Sequence, residues 1–376
     1  MAKHTIQQLI IDHADRIKEN TRLPLSHVKA LYKLGACRTA ALGGHAQYCE
    51  NNHLNGIWYN SCQHRFCPQC RAMPTEQWLL NTKDVLLKCP HHHIVFTLPS
   101  SLHDVWRYNR STMTDILFKA AQQTLQQFAK DPRYLNARLG ILSALHTWGR
   151  SLSLHPHIHT LVSHGGINEM GEWVEPKKAD LFPQKPIMMV YRGKLLAMVK
   201  AAMEEANWQL PPNTQASQLT NRLNKLGRQD WVVYFCKRYD FAQGVASYLS
   251  RYVKSGPLKN QQIKSVTDEH VTFSYRSHQT KRTEVLRLSI EDFIERLLQH
   301  TPLPGKPTVR YCGLYNSAAR KKLNEARSAL GQTEVSEHEQ LQWQAYLEEK
   351  GHLPVCTICG LPLTKMVDIA PVRQVA

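Results

Sequence analysis

The sequence predicts an α+β protein: a central antiparallel sheet with flanking helices, preceded by a small Cys/His module. Three observations carry that expectation. Residues 154–162, Leu-His-Pro-His-Ile-His-Thr-Leu-Val, alternate histidine with other residues and run into an apolar segment, as a strand with one buried face does. Further segments rich in β-formers lie at 91–98, 138–148, 231–236 and 270–277, between helical stretches at 103–130 and 190–209. Residues 37–70 hold Cys37, His45, Cys49, His53, Cys62, His64, Cys67 and Cys70, with Gly43, Gly44 and Gly56 supplying turns. A loop-rich stretch of that kind cannot bury a core of its own, so bound metal would supply its folding energy.

Composition narrows the class. The chain has 376 residues, a formal net charge of +17 and a pI near 9.5. A basic excess of that size points to a polyanionic partner. It is uneven: residues 190–290 hold 16 Lys or Arg against 7 Asp or Glu. Nucleic acid is the expected partner. No run of 18 apolar residues is present, and Met1-Ala2-Lys3-His4-Thr5 lacks the apolar core of a signal peptide. Ten cysteines without such a leader indicate a reducing compartment and read as metal ligands or free thiols rather than disulfides.

In chain order, residues 5–34 read as helical, broken by Pro24. Cys67-Pro68-Gln69-Cys70 is a knuckle that lets two thiolates grip one ion. Cys49 and His53 supply a plausible second half, giving a Cys49, His53, Cys67, Cys70 site, with Cys37, His45, Cys62 and His64 left as a second tetrahedral set. Arg65 and Arg71 flank the knuckle, within reach of phosphates. A helix leads from Trp78 to Leu87. His91 to Leu98 is a strand whose first histidines read as strand-entry residues, and His93 is left outside the metal set. Arg138–Trp148 pairs with the His strand as an antiparallel hairpin. With a side-chain period of 2, His155, His157 and His159 share one face, and Ile158 points into a core. Imidazoles side by side on a rigid strand form half of a divalent-metal site, which His146 would complete from across the hairpin. Gly165-Gly166 should end the strand, and residues 210–220 read as a polar linker. On a helix, Tyr248 and Tyr252 are i, i+4 neighbours. Such a pair ordinarily just packs, but Arg251, Lys254 and Lys259 make the surroundings electropositive and favour phosphate approach. After a linker at 301–307 come a basic helix near 318–329 and a further knuckle, Cys356-Thr357-Ile358-Cys359, with only His352 and Cys312 as distant partners. No phosphate-binding glycine loop and no acidic triad is evident.

Taken together, His-Thr-Trp-Gly (146–149), His-Pro-His-Ile-His (155–159), Tyr-Leu-Ser-Arg-Tyr (248–252), Cys37-Arg38-Thr39-Ala40-Ala41-Leu42-Gly43-Gly44-His45 and Tyr59-Asn60-Ser61-Cys62 resemble the two-tyrosine transposases of the IS91 family, within the HUH endonuclease superfamily. The resemblance covers roughly residues 30–320. Relative to the family pattern, Asn52 replaces a common cysteine and Phe66 a histidine, which makes His53 and His64 candidate substitutes; Arg150 stands where Gln is frequent. The resemblance implies an HUH-type nuclease domain at 86–303 behind a zinc-binding DNA-recognition module at 1–85, with a basic helical tail at 304–376. It implies Mg2+ or Mn2+ on His157, His159 and a third ligand, one or two structural Zn2+, and Tyr248 and Tyr252 as nucleophiles. Its partners would be single-stranded DNA at the insertion-sequence ends and target DNA, in the bacterial cytoplasm without a membrane. The competing expectations are a replication initiator or relaxase with the same chemistry, a non-catalytic zinc-dependent DNA-binding protein, and a small-substrate metallohydrolase.

Overall fold

The computed structural model describes residues 5–70, 78, 81–82, 84–178, 180–236, 238–240, 256–277, 280–335 and 354–372. Pro24, which has no N–H to donate, splits the first helical run into α1 (Ile6–Asn20) and α2 (Leu25–Ala36). Thr5 caps α1 by accepting from the Gln8 N–H at 3.1 Å. Strands β1 (Gly44–Cys49) and β2 (Leu54–Tyr59) follow as an antiparallel pair.

The central sheet contains β3 (His91–Thr97), β4 (Arg138–Trp148), β5 (Leu154–Ile167), β6 (Trp173–Val174), β7 (Val233–Phe235) and β11 (Val309–Gly313), in the order β11-β4-β5-β3-β7 with β6 on the end of β5. Every pairing is antiparallel. One face carries Ile94, Phe96, Ile141, Ile158 and Val162. It is covered by α4 (Arg110–Lys130), α5 (Gln184–Ala202) and α6 (Ala216–Leu226), which bring Leu117, Phe118, Tyr191, Leu195 and Leu219 into the same core. The opposite face carries Leu142, Ala144 and Leu161, packed under Leu323 and Ala326 of α8 (Arg320–Ala329) and under Leu86 and Leu87. His146, His157 and His159 have the parity of this second face.

Two smaller sheets stand apart. β8 (Ile263–Val266), β9 (His270–Arg276) and β10 (Thr283–Ser289) form one, capped by α7 (Ile290–Gln299). Val271, Phe273, Ile290 and Phe293 share a core with Leu9, Leu31, Leu34, Cys37, Cys62 and Phe66, so the cysteine-rich module is seated on this sheet. The other is β12 (Leu363–Ile369) hydrogen-bonded to β1, on the edge opposite β2.

Several expectations need correction. The strand at 270–276 is not part of the central sheet. The His strand runs through both glycines to Ile167, because close approach there demands glycine: a Cβ on Gly166 would stand 2.5 Å from the Arg138 carbonyl, and one on Gly165 2.7 Å from the Trp173 ring. The helical stretch at 103–130 breaks into α3 (His103–Tyr108) and α4 at Asn109. The Asn109 side chain donates to the Val105 and Gln209 carbonyls and accepts from the Gln209 N–H. The polar stretch at 210–220 runs into α6, which buries Leu219, Leu223 and Leu226 at helical spacing behind a Gln215/Gln218 capping box. Residues 304–376 contribute strands to two different sheets, β11 to the central one and β12 to that of β1.

Candidate metal centres and nucleic-acid site

Register builds the histidine site. β4 and β5 pair His146 with His157 and Ala144 with His159, so alternation aims three imidazoles from two strands at one point. Their ligating nitrogens lie within 4.8 Å of one another, and each residue is buried. The His157 and His159 Nε2 atoms are 3.0 Å apart. Donors at right angles about 2.1 Å from an octahedral ion stand about 3.0 Å apart, so the pair fits one ion. Nδ1–H of His157 donates to the His155 carbonyl at 2.6 Å, which leaves Nε2 with its lone pair for a metal. Burial and the surrounding imidazoles push His157 down to about 3 and His159 well below its usual value; both are neutral, as ligation requires. Trp148 stacks on His146 with centroids 4.4 Å apart and holds the third ring.

His93, which the sequence reading left outside the set, sits behind it. β3 pairs Val95 with His159 and His93 with Leu161, so His93 is the diagonal neighbour of His159. Its Nε2 lies 2.9 Å from His159 Nδ1. With Nε2 of His159 aimed at the site, its Nδ1–H donates to His93, the arrangement that fixes the ring of a metal-bound histidine. Tyr239 stacks on His93 at 6.0 Å, and its backbone bridges to His91. His155, by contrast, is outside the converging group and contacts His103 edge-on at 5.8 Å.

Tyr248, Tyr252, Arg251, Lys254 and Arg71 lie outside the described residues. Tyr239 stacks on His93, and Gly256 packs on Phe66 of the cysteine module. Arg65 is half-buried at that module, and Lys259 is exposed. Arg65 and Phe66 line a shallow cleft with Arg110, Trp148, His300 and Lys306.

The cysteines sort differently from the expected partition. Cys37, Cys62, Cys67 and Cys70 form one buried group. Cys62 Sγ lies 3.7 Å from Cys70 Sγ, and Cys67 Sγ 3.5 Å from Cys37 Sγ. Thiolates about 2.3 Å from a tetrahedral zinc stand about 3.8 Å apart, so the donor set fits Zn2+. The shared thiol contacts, first that with Cys62, draw Cys67 down to about 5, while Cys37 is pushed up to about 12 by burial. The expected Cys49, His53, Cys67, Cys70 set is not formed: Cys49 and His53 lie with Cys356 and Cys359 instead. The register of β1 with β12 brings the tail knuckle there. His45 and His64 belong to neither group; His45 stacks on Trp58 at 6.2 Å and His64 packs edge-on against Phe66 at 4.4 Å. Cys312, a proposed distant partner of the knuckle, lies in β11 of the central sheet and accepts from Gln126 of α4, and His352 lies outside the described residues.

A cysteine-rich module whose donor set fits zinc, with a histidine-faced antiparallel sheet on a strongly basic chain, has the make-up of a DNA-processing protein. A "Transposase zinc-binding domain" family model matches residues 9–98, and the transposase family model Y2_Tnp matches residues 140–322. The "Putative transposase y4qJ" of Sinorhizobium fredii is 31% identical over 320 residues, 83% of this chain and 80% of the relative. The "Transposase for insertion sequence element IS801" of Pseudomonas savastanoi pv. phaseolicola is 31% identical over 311 residues, 81% of this chain and 74% of the relative. The chain belongs to the IS91 family of transposases. A conjugative relaxase, TrwC, solved with oriT DNA, covers 37% of this chain and 66% of its own at 14% identity; the TM-score of 0.26 is too low to define a shared fold. Among the described residues no helix is long and apolar enough to cross a membrane.

Proposed function

We propose that the protein cleaves and rejoins single-stranded DNA at insertion-sequence ends through a 5′-phosphotyrosine intermediate, driving rolling-circle transposition. The observation that carries this reading is the convergence of His146, His157 and His159 on one face of a rigid hairpin. These three residues would hold Mn2+ or Mg2+; three imidazoles suit Mn2+, the softer of the two, better. When bound, the ion supplies polarisation of the scissile phosphate and relief of its developing charge.

The remaining chemistry belongs to the chain. His93 orients His159. Tyr248 or Tyr252 attacks phosphorus through its phenolic oxygen, the P–O bond to the 3′ oxygen breaks, and a free 3′-OH departs with the proton. Attack by a 3′-OH on the phosphotyrosine reverses the step, so rejoining needs no nucleotide cofactor. Two tyrosines permit two linked transfers. Tyr239, nine residues before Tyr248 in the sequence, stacks on His93. Arg65, Arg71, Arg251, Lys254 and Lys259 are assigned to the DNA backbone. Residues 1–85 are assigned to end recognition, 86–303 together with β11 to the nuclease, and the rest of 304–376 to the tail. Replication initiators and relaxases would share the chemistry; membership of the IS91 family favours transposition.

The test is covalent capture. Labelled single-stranded DNA spanning the element's ends, incubated with protein and Mn2+, should yield an adduct that survives denaturing electrophoresis. The adduct should vanish in Tyr248→Phe/Tyr252→Phe and in His157→Ala. Tight binding of a cognate end with no adduct would replace this reading with that of a non-catalytic DNA-binding protein.

A further inference from the structure

We propose that Cys49, His53, Cys356 and Cys359 form a second tetrahedral Zn2+ site that staples the C-terminal tail to the N-terminal module. The two tail ligands lie beyond both matched regions, which end at residues 98 and 322, and the site is independent of the nuclease chemistry.

Geometry carries the assignment. The four ligating atoms fall within 4.8 Å of one another. Cys359 Sγ is 3.7 Å from Cys49 Sγ, and Cys356 Sγ is 3.8 Å from His53 Nδ1. Around zinc, sulfur–sulfur and sulfur–nitrogen edges are about 3.8 and about 3.6 Å. A disulfide would need sulfurs about 2.05 Å apart. Both halves are tight turns suited to gripping an ion. In the tail, the Ile358 N–H donates to Cys356 Sγ at 3.4 Å and the Gly360 N–H to the Cys356 carbonyl at 2.9 Å, with Gly360 at φ +73°. In the hairpin, the Asn52 N–H donates to the Cys49 carbonyl at 2.9 Å with Asn52 at φ +57°. Asn52 itself is engaged by Lys365, and Asn55 by the Thr357 N–H, so the two halves interlock around the proposed ion.

Packing does not hold the knuckle in place. Its apolar residues Val355 and Ile358 are 51% and 67% exposed, and β12 leaves Met366 and Val367 half open. The two halves are 303 residues apart in the chain and, the Asn52–Lys365 and Asn55–Thr357 hydrogen bonds aside, are joined through the β1–β12 ladder, at whose open end the knuckle projects, so fixing the knuckle calls for a strong local interaction. Three thiolates and an imidazole converging on one point supply it once zinc is bound.

The experiment uses full-length protein loaded with Co2+, whose thiolate charge-transfer absorption counts sulfur ligands and ignores the histidine site. Wild type should report seven thiolates, four from the first group and three from this one; Cys356→Ser/Cys359→Ser should report four. Hydrogen exchange should then show lost amide protection at residues 363–369 in the double variant, with the central sheet unchanged. His53→Cys should restore what His53→Ala removes. An absorption of four thiolates in wild type, or no change on the double substitution, would overturn the assignment.

Discussion

At the scale of the residue, the histidine cluster depends on which nitrogen of each ring is free. His157 has Nδ1 committed to its own strand, and His159 has Nδ1 committed to His93. The outer ring therefore tunes the inner one. Replacing His93 with Ala should weaken Mn2+ binding by roughly 10–100-fold, read by calorimetric titration, while His157→Ala should abolish it. An unchanged Mn2+ affinity in His93→Ala would show that His93 merely fills space. His93 was passed over in the sequence because three consecutive histidines carry no marker of which one faces the site. Parity puts His91 and His93 on one face and His92 on the other, but only the cross-strand register selects His93.

At the scale of the element, β11 shows how a short edge strand is held. Gly313 ends it at φ +62°, with a position for Cβ only 1.9 Å from the Leu139 carbonyl. The Leu314 N–H donates to that same carbonyl at 2.8 Å. Gly313→Ala must break the approach and adopt a left-handed backbone, at a cost of roughly 2–4 kcal/mol. Urea unfolding should show that loss, whereas Gly305→Ala, also at positive φ but with open space around it, should lose less. β11 was illegible in the sequence because Val309-Arg310-Tyr311-Cys312-Gly313 is five residues of mixed polarity after a proline-rich linker. Its partner β4, by contrast, was legible from its own apolar content.

At the scale of the molecule, buried histidines set the acid limit. His91 and His300 are lowered to about 4 and His92 to about 3, all chiefly by burial. His91 is held between the Cys89 carbonyl and the Tyr315 hydroxyl, and His300 between Thr147 and the Leu152 carbonyl. Below about pH 6.5 the unfolded chain takes protons at these positions that the folded chain refuses until about pH 4. Stability therefore falls as pH drops through that window, by up to about 1.4 kcal/mol per unit for each group. Chemical denaturation from pH 7 to pH 5 should show the slope, and His300→Asn should flatten it. The net charge of +17 sets a second global property: DNA affinity should fall linearly in log–log form as salt rises, by counterion release. A filter-binding series with single-stranded DNA checks it.

The sequence by itself determined the period-2 histidine strand, its hairpin with residues 138–148, the Cys67/Cys70 knuckle, the basic excess and the family resemblance. Each of these is local, or a sum over composition, so neighbouring residues are enough to read it. Tertiary structure alone decided how the cysteines divide. Cys49 and His53 lie inside the span from Cys37 to Cys70 along the chain, yet their partners are some 300 residues away. Spacing cannot reveal such a pairing, because what brings Cys359 to Cys49 is the register of β12 on β1. The separate sheet of β8, β9 and β10 was decided in the same way. A strand's own pattern says that it has a buried face, and only the folded chain says which core that face meets.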